Sequence, residues 1–375
     1  MKLLFACGGT AGHINPALAV ANYITARYPD TEVLFIGSPK GMEARLVAEA
    51  GYPFAPVEIK GIQRRLSWHN VKYNLSALEL LATCWGKIRR VFREFEPDVV
   101  IGTGGYVSGP VLRLAAKMGI PTVTHESNAY PGVTTRLVAG TADKVLLAVP
   151  EAAAHLKCRH EPIITGSPVR EEILFADRAA ARQKLGVGDR VCILSFGGSL
   201  GAERINRAMA EVVAHFAPTG RTHHIHATGS YGTELFPACL AALGAEVAGD
   251  PHIDIREYIS DMADCMAAAD LVICRAGAMT LTELEAAGRA SILIPSPNVA
   301  ANHQYHNAMV LQQHGAAVVI EEKDLTGERL CGTIEELLAD PGRLKALGEA
   351  AAGLAAPDAN ERISREILEL ARPQD

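Results

Sequence analysis

LLFACGGTAG (residues 3–12) returns as ILSFGGSLG (residues 193–201). Each is an apolar run that stops at two glycines, followed by a small hydroxyl residue, one spacer and a third glycine. Apolar runs without polar alternation belong to strands buried on both faces. Glycines accept positive φ and let backbone or ligand come close, so the pattern reads as strand, tight loop and helix start. A chain that makes this opening twice has two halves, each beginning its own sheet.

Short β-rich runs alternate with longer helical stretches along the whole chain. The first half holds KLLFAC, EVLFIG, FAPVEI, VVIGT, PTVTH, KVLLAV and PIITG; the second holds VCILSF, HHIHAT, IDIRE, LVIC, SILIP and AAVVIE. The fold class is therefore α/β, doubly wound, with parallel sheets covered on both faces. Turn signals place a first Rossmann-like domain over 1–165 and a second over 166–356, divided at TGSPVREEI (165–173). The remainder, 357–375, reads as a helix expected to cross back onto the first domain. Asp358 can cap it with Glu361 three residues on, and Ile363, Ile367 and Leu370 share one face.

Composition narrows the function. A net charge of −6 gives no reason to expect nucleic acid. Eight cysteines are scattered with no C-x-x-C pair, several inside apolar runs, as expected of buried free thiols in a reducing compartment. No apolar run approaches the ~20 residues of a membrane span. A lone Lys2 followed at once by a strand is unlike a signal peptide.

The glycine loops suggest a ligand. A helix start leaves N–H groups unpaired and carries about half a positive charge, which suits phosphate when the backbone can come close. A tight turn without a ligand is the plain alternative, and the duplication weighs against it. Neither a Walker Gly-Lys-Ser/Thr nor a complete G-x-G-x-x-G is present, so an NTPase or a dehydrogenase is disfavoured. Diphosphate recognition between two domains fits better. In the first copy the helix is expected after Asn15-Pro16, with Pro16 in its first turn and Ala17, Val20, Ala21, Ile24 and Tyr28 buried. The turn has no need of His13, whose imidazole could donate to a phosphate or accept a proton there.

Eight motifs carry a resemblance. GGTAGHINPALA, GTGGYVSGP (102–110), HESN (125–128), GSPVR (166–170), GGSLGA (197–202), YISDM (258–262), CRAGAMTLTE (274–283) and NHQYHNA (302–308) occur in that order. Together they closely resemble the MurG family of glycosyltransferase family 28. These are the UDP-N-acetylglucosamine:N-acetylmuramyl-(pentapeptide) pyrophosphoryl-undecaprenol N-acetylglucosamine transferases of bacterial peptidoglycan synthesis. The resemblance implies a GT-B fold, two Rossmann-like domains facing across a cleft. It implies transfer of GlcNAc from UDP-GlcNAc to the C4 hydroxyl of the muramyl sugar of lipid I, with inversion, giving lipid II and UDP. No cofactor or metal is implied, and the chain has no D-x-D. The implied setting is the cytoplasmic face of the cell membrane, beside proteins of cell-wall elongation and division.

By the same resemblance, Ser199 with the Gly197–Gly201 loop and Arg170 would meet the diphosphate. Ile259 would offer backbone groups to uracil. Ala278, Met279, Thr280, Leu281, Thr282 and Glu283 would carry the nucleoside, Glu283 accepting from ribose. Gln304, with Asn302 and His303, would hold the GlcNAc ring, reached from the first domain by Thr10, Ala11, Gly12 and Asn128. Gly104, Gly105, Tyr106 and Ser108 would form the acceptor phosphate loop. The proton-accepting base is sought among His13, His125 and Glu126, with His13 and Glu126 ranked together. HESN follows a strand, at the edge where open α/β sheets bind ligands. The family commonly has Gln where Ser127 stands and Asn where Thr135 stands.

Several residues keep competing readings. Thr280 and Glu283 fit a capping box, Arg170 could bridge the domains, and Asn302 could cap a helix. His224 and His226 in THHIHATG alternate on a strand with no acidic or cysteine partner nearby, so a solvated or core strand is favoured over metal.

From Lys60 to Arg93 eight basic residues face one acidic, and both tryptophans lie there. Arg64, Arg65, Trp68, Trp85, Arg89 and Arg90 are the candidates for docking on anionic lipid. Two other functions stay open: a different enzyme on this scaffold, such as a UDP-GlcNAc 2-epimerase or an antibiotic glycosyltransferase, and a nucleotide-sugar binding module without chemistry.

Overall fold

The computed structural model describes residues 1–59 and 84–371. All thirteen expected strands form, seven in one parallel sheet and six in another. The chain divides into two compact units, 1–168 with 358–375, and 169–357.

In the first unit the strands are β1 (Lys2–Ala6), β2 (Glu32–Gly37), β3 (Phe54–Pro56), β4 (Val99–Gly102), β5 (Thr122–Glu126), β6 (Lys144–Leu147) and β7 (Ile163–Ile164), in the order β3-β2-β1-β4-β5-β6-β7. Helices α1 (Ala11–Arg27), α2 (Met42–Glu49), α3 (84–95), α4 (Gly105–Lys117) and α5 (Val133–Val138) cover it. In the second unit β8 (Val191–Phe196), β9 (Thr222–Ala227), β10 (Ile253–Arg256), β11 (Leu271–Cys274), β12 (Ala290–Leu293) and β13 (Val318–Val319) run in the order β10-β9-β8-β11-β12-β13. Its helices are α6 (Glu171–Leu174), α7 (Arg178–Lys184), α8 (Glu203–Phe216), α9 (Leu235–Ala242), α10 (Met262–Ala268), α11 (Ala278–Ala287), α12 (His303–Gln313), α13 (Gly327–Ala339) and α14 (Pro341–Leu354).

Both sheets reverse their winding beside the strand that precedes a glycine loop: β1 lies between β2 and β4, and β8 between β9 and β11. Loops on either side of such a switch diverge and leave a crevice at the carboxyl ends of the strands. Covered on both faces, the strands need no alternation. Leu3, Leu4, Phe5, Ile193 and Leu194 are all fully buried.

α15 (Ala359–Ala371) belongs to the first unit. Ile363 and Ile367 enter the core of β1 and α1, with Leu370 at its margin. Lys144 pairs with Glu366 at 2.7 Å and Glu369 at 2.6 Å, fixing the helix laterally. Asp358 accepts from Arg362 Nε at 2.7 Å.

Two local expectations at α1 fail. The helix starts at Ala11, because extended Thr10 offers its carbonyl to the amides of His13 and Ile14. Pro16 therefore lies inside the helix, where its missing N–H leaves the Gly12 carbonyl without its i+4 donor. Tyr28 is 47% exposed, since the helix has ended at Arg27 and its backbone has left the helical region. All eight cysteines are free, five of them buried.

Candidate active site

The two sequence twins begin alike and then diverge. The second glycines, Gly9 and Gly198, take φ of +89° and +96°. In the first unit α1 begins two residues later. In the second the chain turns again at Gly201 (φ +84°), where a Cβ would meet the Thr228 carbonyl oxygen at 2.1 Å, and α8 begins at Glu203. Ser199 and Gly198 stand exposed on this second loop.

His13 sits in the first turn of α1, half-buried. Its Nδ1 lies 3.2 Å from the Gly8 carbonyl, which can only accept, so Nδ1 carries the proton. Thr10 Oγ1 lies at the same distance. The remaining nitrogen, Nε2, keeps its lone pair, which is the arrangement a neutral imidazole base requires. Burial pulls this imidazole below its ordinary value of 6.5, against the opposing Glu126 charge. Gly104 lets β4's loop approach the ring: a Cβ there would lie 2.6 Å from His13 Cδ2. Thr103 Oγ1 donates to the His13 carbonyl at 2.6 Å.

Glu126 is placed differently from a free base. One carboxylate oxygen accepts from the Asn128 amide (3.0 Å) and Nδ2 (2.8 Å), the other from the Gly132 amide (2.9 Å) and Thr135 Oγ1 (2.6 Å). Four bonds fill the four acceptor sites of a carboxylate. His125 is buried, with Nε2 donating to the Gly166 carbonyl at 2.9 Å and Nδ1 facing Ser127 Oγ. Burial lowers its proton affinity too. Of the three histidine and glutamate candidates, His13 alone has an uncommitted basic atom among the described residues. Ser127 and Thr135 are held internally, by Ser167 Oγ and by Glu126.

Of the acceptor-loop candidates, Gly104, Gly105 and Tyr106 open α4 at the switch point. Ser108 is fully buried and donates to the carbonyls of Ala6 and Gly104, so it braces the loop from inside.

In the second unit, Arg170 pairs with Glu283 at 2.7 Å, within one unit and not across two. The capping-box reading of Thr280 and Glu283 fails, because Gly277 is the N-cap and Glu283 lies a turn further in. Burial raises the Glu283 carboxyl, and the Arg170 charge opposes that. Leu281 faces the core and Thr282 Oγ1 bonds back to the Ala278 carbonyl, whereas Ala278, Met279 and Thr280 are part-exposed. The Ile259 side chain is buried. Gln304 Oε1 accepts from the Ser296 amide at 2.8 Å, which leaves its NH₂ to donate. Asn302 is the N-cap of α12 but makes no side-chain cap bond; it and Ala301 both take left-handed φ, at 51° and 53°. Consecutive non-glycine residues in that region mark a strained, over-determined loop, as functional loops often are.

His223, His224 and His226 are core residues of β9. In the basic stretch, Arg64, Arg65 and Trp68 lie outside the described residues. On α3, Arg89 and Arg90 are exposed and Arg90 pairs with Glu94, while Trp85 is half-buried with Lys117 Nζ 4.9 Å from its ring. No described helix is long and apolar enough to cross a membrane.

One functional candidate escaped the sequence reading. Glu43, on α2, lies beneath the first glycine loop and is 0% exposed. The signal was an acid preceded by two glycines in GSPKGMEARL; a Cβ at Gly37 or Gly41 would lie within 2.6 Å of it.

The comparisons with known proteins agree with one another. Residues 3–147 match the glycosyltransferase family 28 N-terminal domain and residues 192–363 its C-terminal domain. A UDP-N-acetylglucosamine--N-acetylmuramyl-(pentapeptide) pyrophosphoryl-undecaprenol N-acetylglucosamine transferase of Acetivibrio thermocellus is 44% identical, over 99% of this chain and 98% of its own. The crystal structure of Acinetobacter baumannii MurG superposes with a TM-score of 0.78 at 29% identity, covering 98% and 99% of the two chains. The UDP-GlcNAc 2-epimerase of Neisseria meningitidis has a TM-score of 0.67 at 11% identity, over 98% and 100%, a likeness of fold alone. The two parallel-sheet units are those of the GT-B class, and the chain belongs to the MurG family of family 28 glycosyltransferases.

Proposed function

We propose that the protein transfers N-acetylglucosamine from UDP-N-acetylglucosamine to the C4 hydroxyl of the N-acetylmuramyl sugar of lipid I, giving lipid II and UDP. Family membership supplies the substrates, and the seat of His13 carries the mechanism. Its Nε2 takes the proton of the C4 hydroxyl as that oxygen bonds to the anomeric carbon. The bond from that carbon to the diphosphate breaks, its electron pair leaving with UDP, and attack from the opposite face inverts the centre. Glu126 holds the 128–135 loop and stays out of proton transfer.

The donor falls to the second unit. Amides of the Gly197–Gly201 loop and the start of α8 meet the departing charge without needing a metal ion, and Arg170 adds a cation to them. Glu283 receives the ribose hydroxyls, Ile259 offers backbone groups to uracil, and the Gln304 NH₂ reaches the sugar. The α4 N-terminus at Gly104–Tyr106 receives the acceptor diphosphate. Docking on anionic lipid falls to Arg64, Arg65, Trp68, Arg89 and Arg90, with Trp85 as an inner support.

The test is transfer of labelled GlcNAc to a short-chain lipid I analogue, with and without chelator. Product formation that survives the chelator supports the reading. Tight UDP-GlcNAc binding with no transfer moves it to an epimerase or another acceptor. For the donor site, Glu283→Ala is expected to weaken UDP-GlcNAc binding by about 1–3 kcal/mol, the worth of charged hydrogen bonds. Calorimetry giving wild-type affinity would leave Glu283 as no more than the partner of Arg170.

A further inference from the structure

Glu43 has no sequence motif to explain it and no ion-pair partner among the described residues. A fully buried carboxylate without a cation is costly unless its oxygens are well served by donors. Here one oxygen accepts from the Gly9 amide at 3.2 Å, the other from the Ser38 amide at 3.0 Å and the Tyr106 hydroxyl at 3.4 Å. Glu43 is also the second residue of α2, where the helix N-terminus favours negative charge. The chain makes room for it with glycines. A Cβ at Gly8 would lie 2.7 Å from its Oε1, at Gly37 2.6 Å from its Cγ and at Gly41 2.3 Å from its Cδ.

Two of the three donors lie at the candidate site or beside it. Gly9 adjoins Gly8, whose carbonyl fixes the His13 tautomer, and Tyr106 opens α4. We propose that Glu43 is a positioning residue for the transfer, clamping the Gly8–Thr10 loop so that His13 presents the lone pair of Nε2. The proposal rests on the functional reading above. It also separates the twin loops chemically. The first has an amide committed to an internal carboxylate, which disfavours an anion on that loop and suits it to hold a base. The second has no such carboxylate beneath its glycines among the described residues, and diphosphate is assigned there.

The experiment is a double-mutant cycle on the full-length protein. Glu43→Gln keeps the volume but replaces one acceptor oxygen by an NH₂ that must face an N–H. It is expected to lower kcat for GlcNAc transfer by about tenfold to fiftyfold while KM for UDP-GlcNAc stays within about twofold, since lost orientation acts on the reacting geometry. In a His13→Ala background the same substitution should change kcat by less than about twofold, because nothing is left to position. Equal losses in both backgrounds, or full activity of Glu43→Gln, overturn the proposal.

Two further readouts guard against misfolding and against a wrong acceptor. Tyr106→Phe removes one of the three bonds and keeps the carboxylate. It is expected to cost about twofold to fivefold in kcat. Long-range ¹H–¹⁵N spectra of histidine-labelled protein report the His13 tautomer with no turnover at all. The wild type should carry its proton on Nδ1, and Glu43→Gln should shift the population toward Nε2. An unchanged tautomer overturns the clamp whatever the acceptor proves to be, whereas a changed tautomer without transfer would indict the acceptor and leave the clamp standing.

Discussion

Substituting His13 with alanine lowers kcat for GlcNAc transfer by about 10²–10⁴-fold, the range that a positioned general base contributes. UDP binding should persist, because the donor is assigned to the other unit. Hydrogen-bond capacity separates the three candidates. Glu126 accepts four bonds and His125 is sealed between the Gly166 carbonyl and Ser127. The His13 imidazole is oriented by Gly8 and retains one free nitrogen.

The pH profile gives a second handle on the same residue. Burial holds the His13 value below 6.5, so the imidazole is neutral at pH 7 and able to accept a proton. Acidification protonates it, and kcat/KM in the wild type should fall on an acid limb whose midpoint lies below 6.5. In His13→Ala that limb should vanish along with most of the rate. Glu126→Gln tests the rival assignment. It should cost stability, through the Asn128, Gly132 and Thr135 donors it leaves short, more than it alters the acid limb. A profile that keeps its acid limb in His13→Ala and loses it in Glu126→Gln would exchange the two roles.

The fold was legible because parallel strands buried on both faces are long, apolar and bounded by glycine, and the chain repeats its opening. Legibility faded where a residue type serves two purposes. Pro16 resembles a first-turn proline, yet the amides of His13 and Ile14 find the Thr10 carbonyl and start α1 earlier. Thr280 and Glu283 match a capping box in spacing only, since a glycine already occupies the N-cap. At the site, residue types suggested chemistry but not occupancy. Whether Ser108 or Glu126 is free depends on which carbonyls and amides the loops bring past it, and no local pattern encodes that. Glu43 was hidden for the same reason. Its partners at 9, 38 and 106 meet only after β1, β2 and β4 have paired.

Two histidines of β9 should cost the second unit about 4 kcal/mol of stability between pH 7.5 and pH 5, while Glu285, whose carboxyl burial raises to about 8, should offset about 3 kcal/mol of that. His224 and His226 are fully buried, and burial lowers their values to about 4 and about 3. Each has one ring nitrogen bonded, to Thr222 Oγ1 and to Ser195 Oγ, and one with no partner. Protonation would add a charge and a second N–H where no acceptor waits. In the unfolded chain the same rings titrate near 6.5, so the unfolded state binds more protons and stability falls as pH falls. The loss begins below 6.5 and continues until the folded values are reached near 4 and 3. At pH 5 each imidazole contributes about 2 kcal/mol of it, a large share of a typical domain's margin. Urea unfolding followed by hydrogen exchange at the amides of β8 and β9 isolates this unit within the intact protein. His226→Leu should start lower at pH 7.5, because Ser195 loses its partner and the ring its stack on Phe236, yet its stability change on going to pH 5 should be about 2 kcal/mol more favourable than that of the wild type. If the variant keeps the full pH dependence, the titrating groups lie elsewhere, and the strand's histidines are ordinary core side chains with no bearing on acid stability.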